Sequence, residues 1–159
     1  MKPYFLIDVQ TTGFKQNKAI RTQVYNLTTN ELSTFYHDSG EPIEPSATEF
    51  HGITNEYLKA QKTVPFKQMF ESLLSECEIT FCISEYSLHR TLISNGFSNH
   101  SLSTFELMDI GEILYGSEYT PYIKNDEKKE LMFGDKGSKG TSMEAMISYS
   151  EKLLEKIKD

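Results

Sequence analysis

The residues with the clearest potential for chemistry are a carboxylate and an amide at the end of one short apolar run. Asp8 belongs to the run 4–9, and Gln10 follows it, before the turn-type segment 11–13 (Thr-Thr-Gly). A carboxylate is a good ligand for a hard divalent cation, whereas an amide keeps an acceptor oxygen but lacks the charge. The pair therefore predicts one weak metal ligand, Asp8. The alternative is structural, because an Asp at a strand end also binds turn amides.

Histidines and cysteines form no pattern typical of a zinc cluster or a disulfide framework. Cys77 and Cys82 lie five residues apart in one segment, which favours reduced, partly buried thiols. His89 and His100 lack partners at ligand spacing and are expected at the surface. His51 precedes a glycine, and for this histidine we favour a structural hydrogen-bonding role.

The elements that position Asp8 are predicted from apolar runs and turn residues. Residues 4–9 are expected to form a buried central strand that stops at the turn. Two β-prone stretches follow, 20–27 and 32–37, and the link between them contains Asn30 and suits a hairpin. The first three strands are therefore expected to be antiparallel neighbours.

The middle of the chain alternates between helix-like and strand-like patterns. Gly52 should break any long helix, and Thr54 should cap a new one. Residues 65–76 carry apolar side chains at helical spacing, residues 79–83 form a compact apolar run, and residues 86–94 suit a helix. This order favours a parallel crossover connection.

The C-terminal third is predicted to contain two helices separated by a polar segment. Residues 105–114 show helical spacing, whereas residues 116–140 are rich in charged residues and glycine and read as an irregular or mobile loop. A final helix is expected to start near Thr141 or Ser142 and to carry Met146 on its apolar side. The length suits a single α/β domain over residues 1–159.

Charge and hydropathy narrow the function classes. The chain has 16 Lys plus Arg against 23 Asp plus Glu, a formal net charge of −7 and a pI near 5.1. Because non-specific affinity for nucleic acid comes mainly from Lys and Arg, this balance weakens nucleic-acid binding and favours a protein partner. No apolar run is long enough for a bilayer and no signal segment is evident, so we expect a cytoplasmic protein without a membrane role.

Two segments resemble motifs of one enzyme family. Residues 5–14 resemble the first motif of the DnaQ-like 3′-5′ exonucleases, an apolar strand followed by Asp-x-Glu-Thr-Thr-Gly, with Gln10 at the position of the Glu. Residues 47–58 contain His-Gly-Ile-Thr and resemble a second segment of that family at about the usual distance. The resemblance covers residues 4–58 and implies an RNase H-like α/β fold, with three antiparallel strands followed by parallel strands and flanked by helices.

The resemblance also implies a site that this chain has largely lost. In the family, four carboxylates hold two Mg²⁺ or Mn²⁺ ions about 4 Å apart, and a His or Tyr assists the attacking water. Asp8 matches the first carboxylate, and Gln10 replaces the second. The alignment places Leu88 at the third carboxylate, and it places Thr141 and Met146 at the His and Asp of the last motif. The catalytic site is therefore predicted to be degenerate.

The expected role is that of a binding or regulatory module. A protein partner is favoured, and a nucleic-acid 3′ end, contacted through Thr11, Thr12 and His51, is the weaker choice because of the net charge. No cofactor is expected, and Mg²⁺ or Mn²⁺ would matter only for residual activity. A Glu to Gln change is also a common engineered inactivation, but the other lost ligands favour a natural origin for Gln10.

Two alternatives stay open from the sequence. The first is an active metal-dependent 3′-5′ exonuclease on DNA or RNA that combines Asp8 with some of Glu85, Asp109 and Asp126. The last of these belongs to a Tyr-x3-Asp match in the polar segment, for which coincidence is the simpler explanation. The second is an unrelated α/β domain with an accidental first motif, which a wholly parallel sheet would indicate.

Overall fold

A computed structural model describes residues 3–76, 79–82, 85–97 and 103–106, together with single helical positions near the C-terminus. No helix in these ranges is long and apolar enough to cross a membrane. Nine elements have defined bounds, which are β1 Phe5–Thr11, β2 Ala19–Asn26, β3 Glu31–Tyr36, α1 Pro45–His51, α2 Asn55–Lys59, α3 Phe66–Glu76, β4 Ile79–Cys82, α4 Glu85–Ser94 and β5 Ser103–Glu106.

The first three strands form the antiparallel meander expected from the sequence. β1 pairs with β2, and β2 pairs with β3, both in antiparallel register. In the β2–β3 turn, the Asn26 side chain accepts the N–H groups of Thr28 and Thr29 at 2.8 and 3.2 Å. Asn30 adopts a left-handed φ of 61°, which asparagine tolerates better than most residues. The predicted hairpin is confirmed.

The second half of the sheet is parallel. β4 lies beside β1, and β5 lies beside β4, so that the strand order is β3-β2-β1-β4-β5. Helix α3 precedes β4, and α4 connects β4 to β5, as a parallel crossover requires. The predicted RNase H-like mixed sheet is confirmed, and a wholly parallel sheet is excluded.

One element differs from its prediction. Helical spacing predicted a helix from Phe105, but Phe105 belongs to strand β5, opposite Phe81 of β4. The two rings lie 6.1 Å apart, and the parallel ladder supplies the backbone hydrogen bonds. A four-residue strand is too short for periodicity to separate it from a helix. The rest of that predicted helix and the segment 116–140 lie outside the described residues.

The main core packs α3 and α4 against one face of the sheet. Phe5 and Ile7 of β1 contact a cluster that includes Phe70 and Leu92, both fully buried. Phe97, which follows α4, packs edge-on against Phe70 with ring centroids 4.8 Å apart. Such aromatic contacts bury large areas, so this layer anchors β1 firmly.

The connection between α1 and α2 contains the predicted helix break at Gly52 and the predicted helix cap at Thr54. Gly52 ends α1 with a left-handed φ of 76°, and its N–H binds the Thr48 carbonyl oxygen. The Thr54 hydroxyl then caps α2 by accepting the Tyr57 N–H at 3.0 Å. Ile53, between them, is buried against Ile20 and Ile43. The link that follows His51 is thus fixed against β2.

Candidate functional site

Alternation along β1 separates a core face from a second face, here called the site face. Phe5 and Ile7 point into the core, so that Leu6, Asp8 and Gln10 lie on the other side of the strand. Residues directly opposite across a ladder share a face. The register of the sheet therefore determines which side chains surround Asp8.

Asp8 and Gln10 bind each other. Gln10 Nε2 donates a hydrogen bond of 2.9 Å to Asp8 Oδ2, and both side chains are half-buried. Burial raises the pKa of the Asp8 carboxyl, while the Gln10 hydrogen bond and the charge of Arg21 act in the opposite direction. The amide thus occupies one oxygen of the carboxylate that a metal ion would need.

Arg21 is the residue of this site that the sequence reasoning missed. It lies on β2 directly opposite Gln10, so its side chain shares the site face with Asp8. Its Nε is buried and has no hydrogen-bond partner, and its charge acts on Asp8. The β1–β2 hairpin was the available signal, but an irregularity between Gln10 and Thr11 shifts the register, so the pairing of Gln10 with Arg21 does not follow from the turn length alone.

A pair of tyrosines continues the row of polar side chains formed by Asp8, Gln10 and Arg21 toward α2. Tyr36 of β3 lies opposite Arg21 in the next ladder, and its hydroxyl is 3.2 Å from that of Tyr57. Burial and the Tyr57 hydroxyl raise the pKa of Tyr36, and the neighbouring Arg21 lowers it. The site face therefore runs from Asp8 through Gln10 and Arg21 to the two tyrosines.

The two threonine hydroxyls of the turn after β1 accept hydrogen bonds from backbone groups of the same turn. The Thr11 hydroxyl accepts the Gly13 N–H at 3.3 Å, and the Thr12 hydroxyl, in a buried side chain, accepts the Lys18 N–H at 3.2 Å. Gly13 has a φ of 128°, and a side chain there would collide with Glu44. The turn thus has a structural reason for its sequence.

His51 joins the α1–α2 link to the end of β1. Its Nδ1 accepts the Ile53 N–H at 3.1 Å, so Nε2 carries the proton and donates to the Thr11 carbonyl oxygen at 3.0 Å. Burial lowers the pKa of His51, which favours this neutral form. Both ring nitrogens are engaged, as the structural alternative expects. The nucleic-acid role of Thr11, Thr12 and His51 stays a prediction.

Of the other aligned positions, the structure describes Leu88 and Met146, and neither is a ligand beside Asp8. Leu88 is buried in the core cluster with Phe5 and Ile7, on the face of the sheet opposite to Asp8. Met146 is 1 % exposed, and its thioether is not a ligand for Mg²⁺. Thr141 and the side chains of Glu85, Asp109 and Asp126 lie outside the described residues.

The described residues around Asp8 do not fit a two-metal site. In the part of the chain that the structure describes, no three side chains of His, Cys, Asp or Glu are grouped so that they could hold an ion. Asp8 is the sole aligned carboxylate, it accepts from Gln10, and the Arg21 guanidinium adds positive charge where divalent cations would bind. Two hard cations require several charged oxygens, so we derive no metal-dependent step for this site.

The arrangement of the sheet is shared with solved exonucleases. Exonuclease X in complex with 5′ overhanging duplex DNA superposes with a TM-score of 0.60 at 12% identity, over 96% of this chain and 91% of that one. The zinc-ion-bound form of the E. coli exonuclease I complex with single-stranded DNA gives a TM-score of 0.66 at 13% identity, over 100% of this chain and 41% of that one. This chain has the DnaQ-like, RNase H-like exonuclease fold.

The comparison with exonuclease I also marks a difference in length. A product-bound exonuclease I matches with a TM-score of 0.66 at 14% identity, and the chain spans 43% of its length. No protein-family model and no curated protein matches the sequence. At this level of identity, the likeness establishes the fold and leaves the chemistry of the site to the residues themselves.

Proposed function

We propose that this chain is a catalytically degenerate relative of the DnaQ-like exonucleases that acts as a binding or regulatory module. The observation that carries the proposal is the hydrogen bond from Gln10 to Asp8 beside the Arg21 cation. The Gln10 amide bonds one oxygen of this carboxylate, and the positive charge of Arg21 acts on it. A protein partner suits the net charge of −7 better than a nucleic-acid 3′ end does.

Electrostatics supports the loss of catalysis. Phosphodiester hydrolysis by two metal ions needs enough negative charge in the protein to hold both cations against each other. Among the described residues this site offers one carboxylate, and the positive charge of the neighbouring Arg21 acts on it. Restoring only the second carboxylate would therefore leave the site short of negative charge.

The test is a nuclease assay with matched variants. Purified protein should fail to shorten a 3′-accessible, labelled single-stranded oligonucleotide in Mg²⁺ or Mn²⁺, and Asp8→Ala should behave identically. Gln10→Glu should also stay inactive. Shortening by the unmodified chain that Asp8→Ala abolishes would overturn the proposal and would establish the active-exonuclease alternative.

A further inference from the structure

We propose that the open edge of β3 binds an extended, basic segment of a protein partner by adding a strand to the sheet. The inference goes beyond the proposed function and does not depend on it, because the edge lies two strands away from β1. It rests on three observations, which concern the hydrogen-bonding edge, an adjoining apolar groove and the charge at one end of that groove.

The edge presents backbone groups that point away from the sheet. His37 donates its N–H to the Ile20 carbonyl oxygen at 2.9 Å, which sets the alternation of the antiparallel β2–β3 ladder. Phe35 and Ser33 therefore bond inward to β2, whereas the N–H and C=O groups of Leu32 and Thr34 point outward. Both of these residues have exposed side chains as well. A second strand can pair with such an edge.

The chain itself already uses one end of this edge. Val64 N–H donates to the Tyr36 carbonyl oxygen at 2.9 Å, and Thr63 forms an isolated parallel bridge with Tyr36. Residues 63–64 then leave toward α3, and β3 has no ladder on this side among the other described strands. The geometry of the edge thus accepts an added strand, and among the described residues only 63–64 pair with it, at its last position.

An apolar groove lies beside this edge. It has a volume of about 240 Å³ and is lined by Phe35 of β3, by Val64 and by residues of α3, including Met69 and Leu73. A strand paired with β3 would direct alternate side chains toward this groove. Backbone pairing would supply affinity, and an apolar side chain in the groove would supply specificity.

Charge selects a basic occupant. Glu76 lines the groove at the C-terminal end of α3, and the last turn of that helix contains no basic residue. The negative end of the helix dipole and the Glu76 carboxylate therefore act in the same direction. The chain carries a net charge of −7. A partner segment with Lys or Arg near Glu76 is electrostatically complementary to this end of the groove.

The first experiment measures amide exchange by NMR with a short synthetic peptide that alternates Val and Lys. In the protein alone, the amides of Leu32 and Thr34 should exchange faster than those of Ser33 and Phe35, which serve as internal controls. Adding the peptide should slow Leu32 and Thr34 by at least about tenfold. A peptide alternating Val and Glu should have a much smaller effect.

Matched variants separate strand addition from simple charge attraction. Thr34→Pro removes an outward N–H that the sheet does not use and should weaken peptide binding about tenfold. Ser72→Phe, on α3, fills the groove without changing the backbone of β3 and should weaken binding similarly. It therefore tests the groove even if the proline variant misfolds. Glu76→Gln should weaken binding about threefold, whereas Glu56→Gln, at an exposed acid of α2, should leave it unchanged.

Three results would overturn the inference. Slow exchange of Leu32 and Thr34 in the protein alone would show that other residues of the chain or a second copy already cover the edge. Unchanged exchange at about 1 mM peptide would show that the edge binds no such strand. If a peptide that is N-methylated on its pairing amides bound as tightly as the unmodified peptide, binding would depend on charge attraction and not on strand pairing. None of these results bears on the degeneracy of the Asp8 site.

Discussion

The two faces of β1 differ in the interactions that their side chains make. On the core face, Phe5 and Ile7 pack with α3 and α4 as the strand of an exonuclease fold requires. On the site face, Asp8 accepts a hydrogen bond from the Gln10 amide, and the charge of Arg21 acts on it. Under the proposed function the fold persists without the chemistry, because the core depends on apolar shape and the site depends on charge.

The largest expected effect comes from breaking the core face. Ile7→Ala should lower the free energy of unfolding by about 3 kcal/mol, because it removes a fully buried side chain and leaves a cavity. Gln10→Ala, on the site face, should cost less than about 1.5 kcal/mol, the scale of one hydrogen bond. Urea unfolding measures both, and a larger cost at Gln10 would contradict the comparison.

Most of the core face could be predicted from the sequence, because apolar alternation and turn residues are local signals. The site face could not, since Arg21 reaches Asp8 only through the β1–β2 register, which includes an irregularity at Gln10 and Thr11. The position of Leu88 could not be predicted from local sequence signals either. Its alignment predicted a former ligand, whereas helix packing places it in the core. Contacts between distant residues decide both positions.

A second carboxylate on the site face should lower the stability of the fold. Gln10→Glu places like charges side by side on one strand and removes the donor to Asp8, so it should cost about 1 to 2 kcal/mol at pH 7. Mn²⁺ should not restore this loss. Gln68→Glu, at an exposed position of α3, is the matched control and should change little. Full rescue by Mn²⁺ in thermal melts would indicate a retained metal site.

Acid should weaken the attachments at the ends of β1 and β3. Burial lowers the pKa of His37 and of His51, and both are held in neutral hydrogen-bonded forms. A depressed folded pKa contributes stability that is present above the unfolded value, about 6.5, and that is lost as the pH falls. We expect a loss on the order of 1 kcal/mol between pH 7 and 5. Equal stability at the two pH values would contradict the prediction that the fold depends on neutral His37 and His51.

The smallest predicted effect is a gain from removing the Asp8 charge. Because burial raises the folded pKa of Asp8, its contribution to stability is present below the unfolded pKa and is lost as the pH rises through the folded pKa. Asp8→Asn should therefore raise stability at pH 7 by less than about 1 kcal/mol, and the difference should vanish below about pH 4. Lower stability of this variant at pH 7 would mean that the carboxylate is stabilising.

Under the proposed function, the positive charge of Arg21 stands in place of metal ions on the site face. Titration with Mn²⁺ followed by electron paramagnetic resonance tests it directly, because bound Mn²⁺ loses its free-ion signal. We expect the same weak, non-stoichiometric binding in the unmodified chain and in Asp8→Ala. A stoichiometric Mn²⁺ site that disappears in Asp8→Ala would contradict the account.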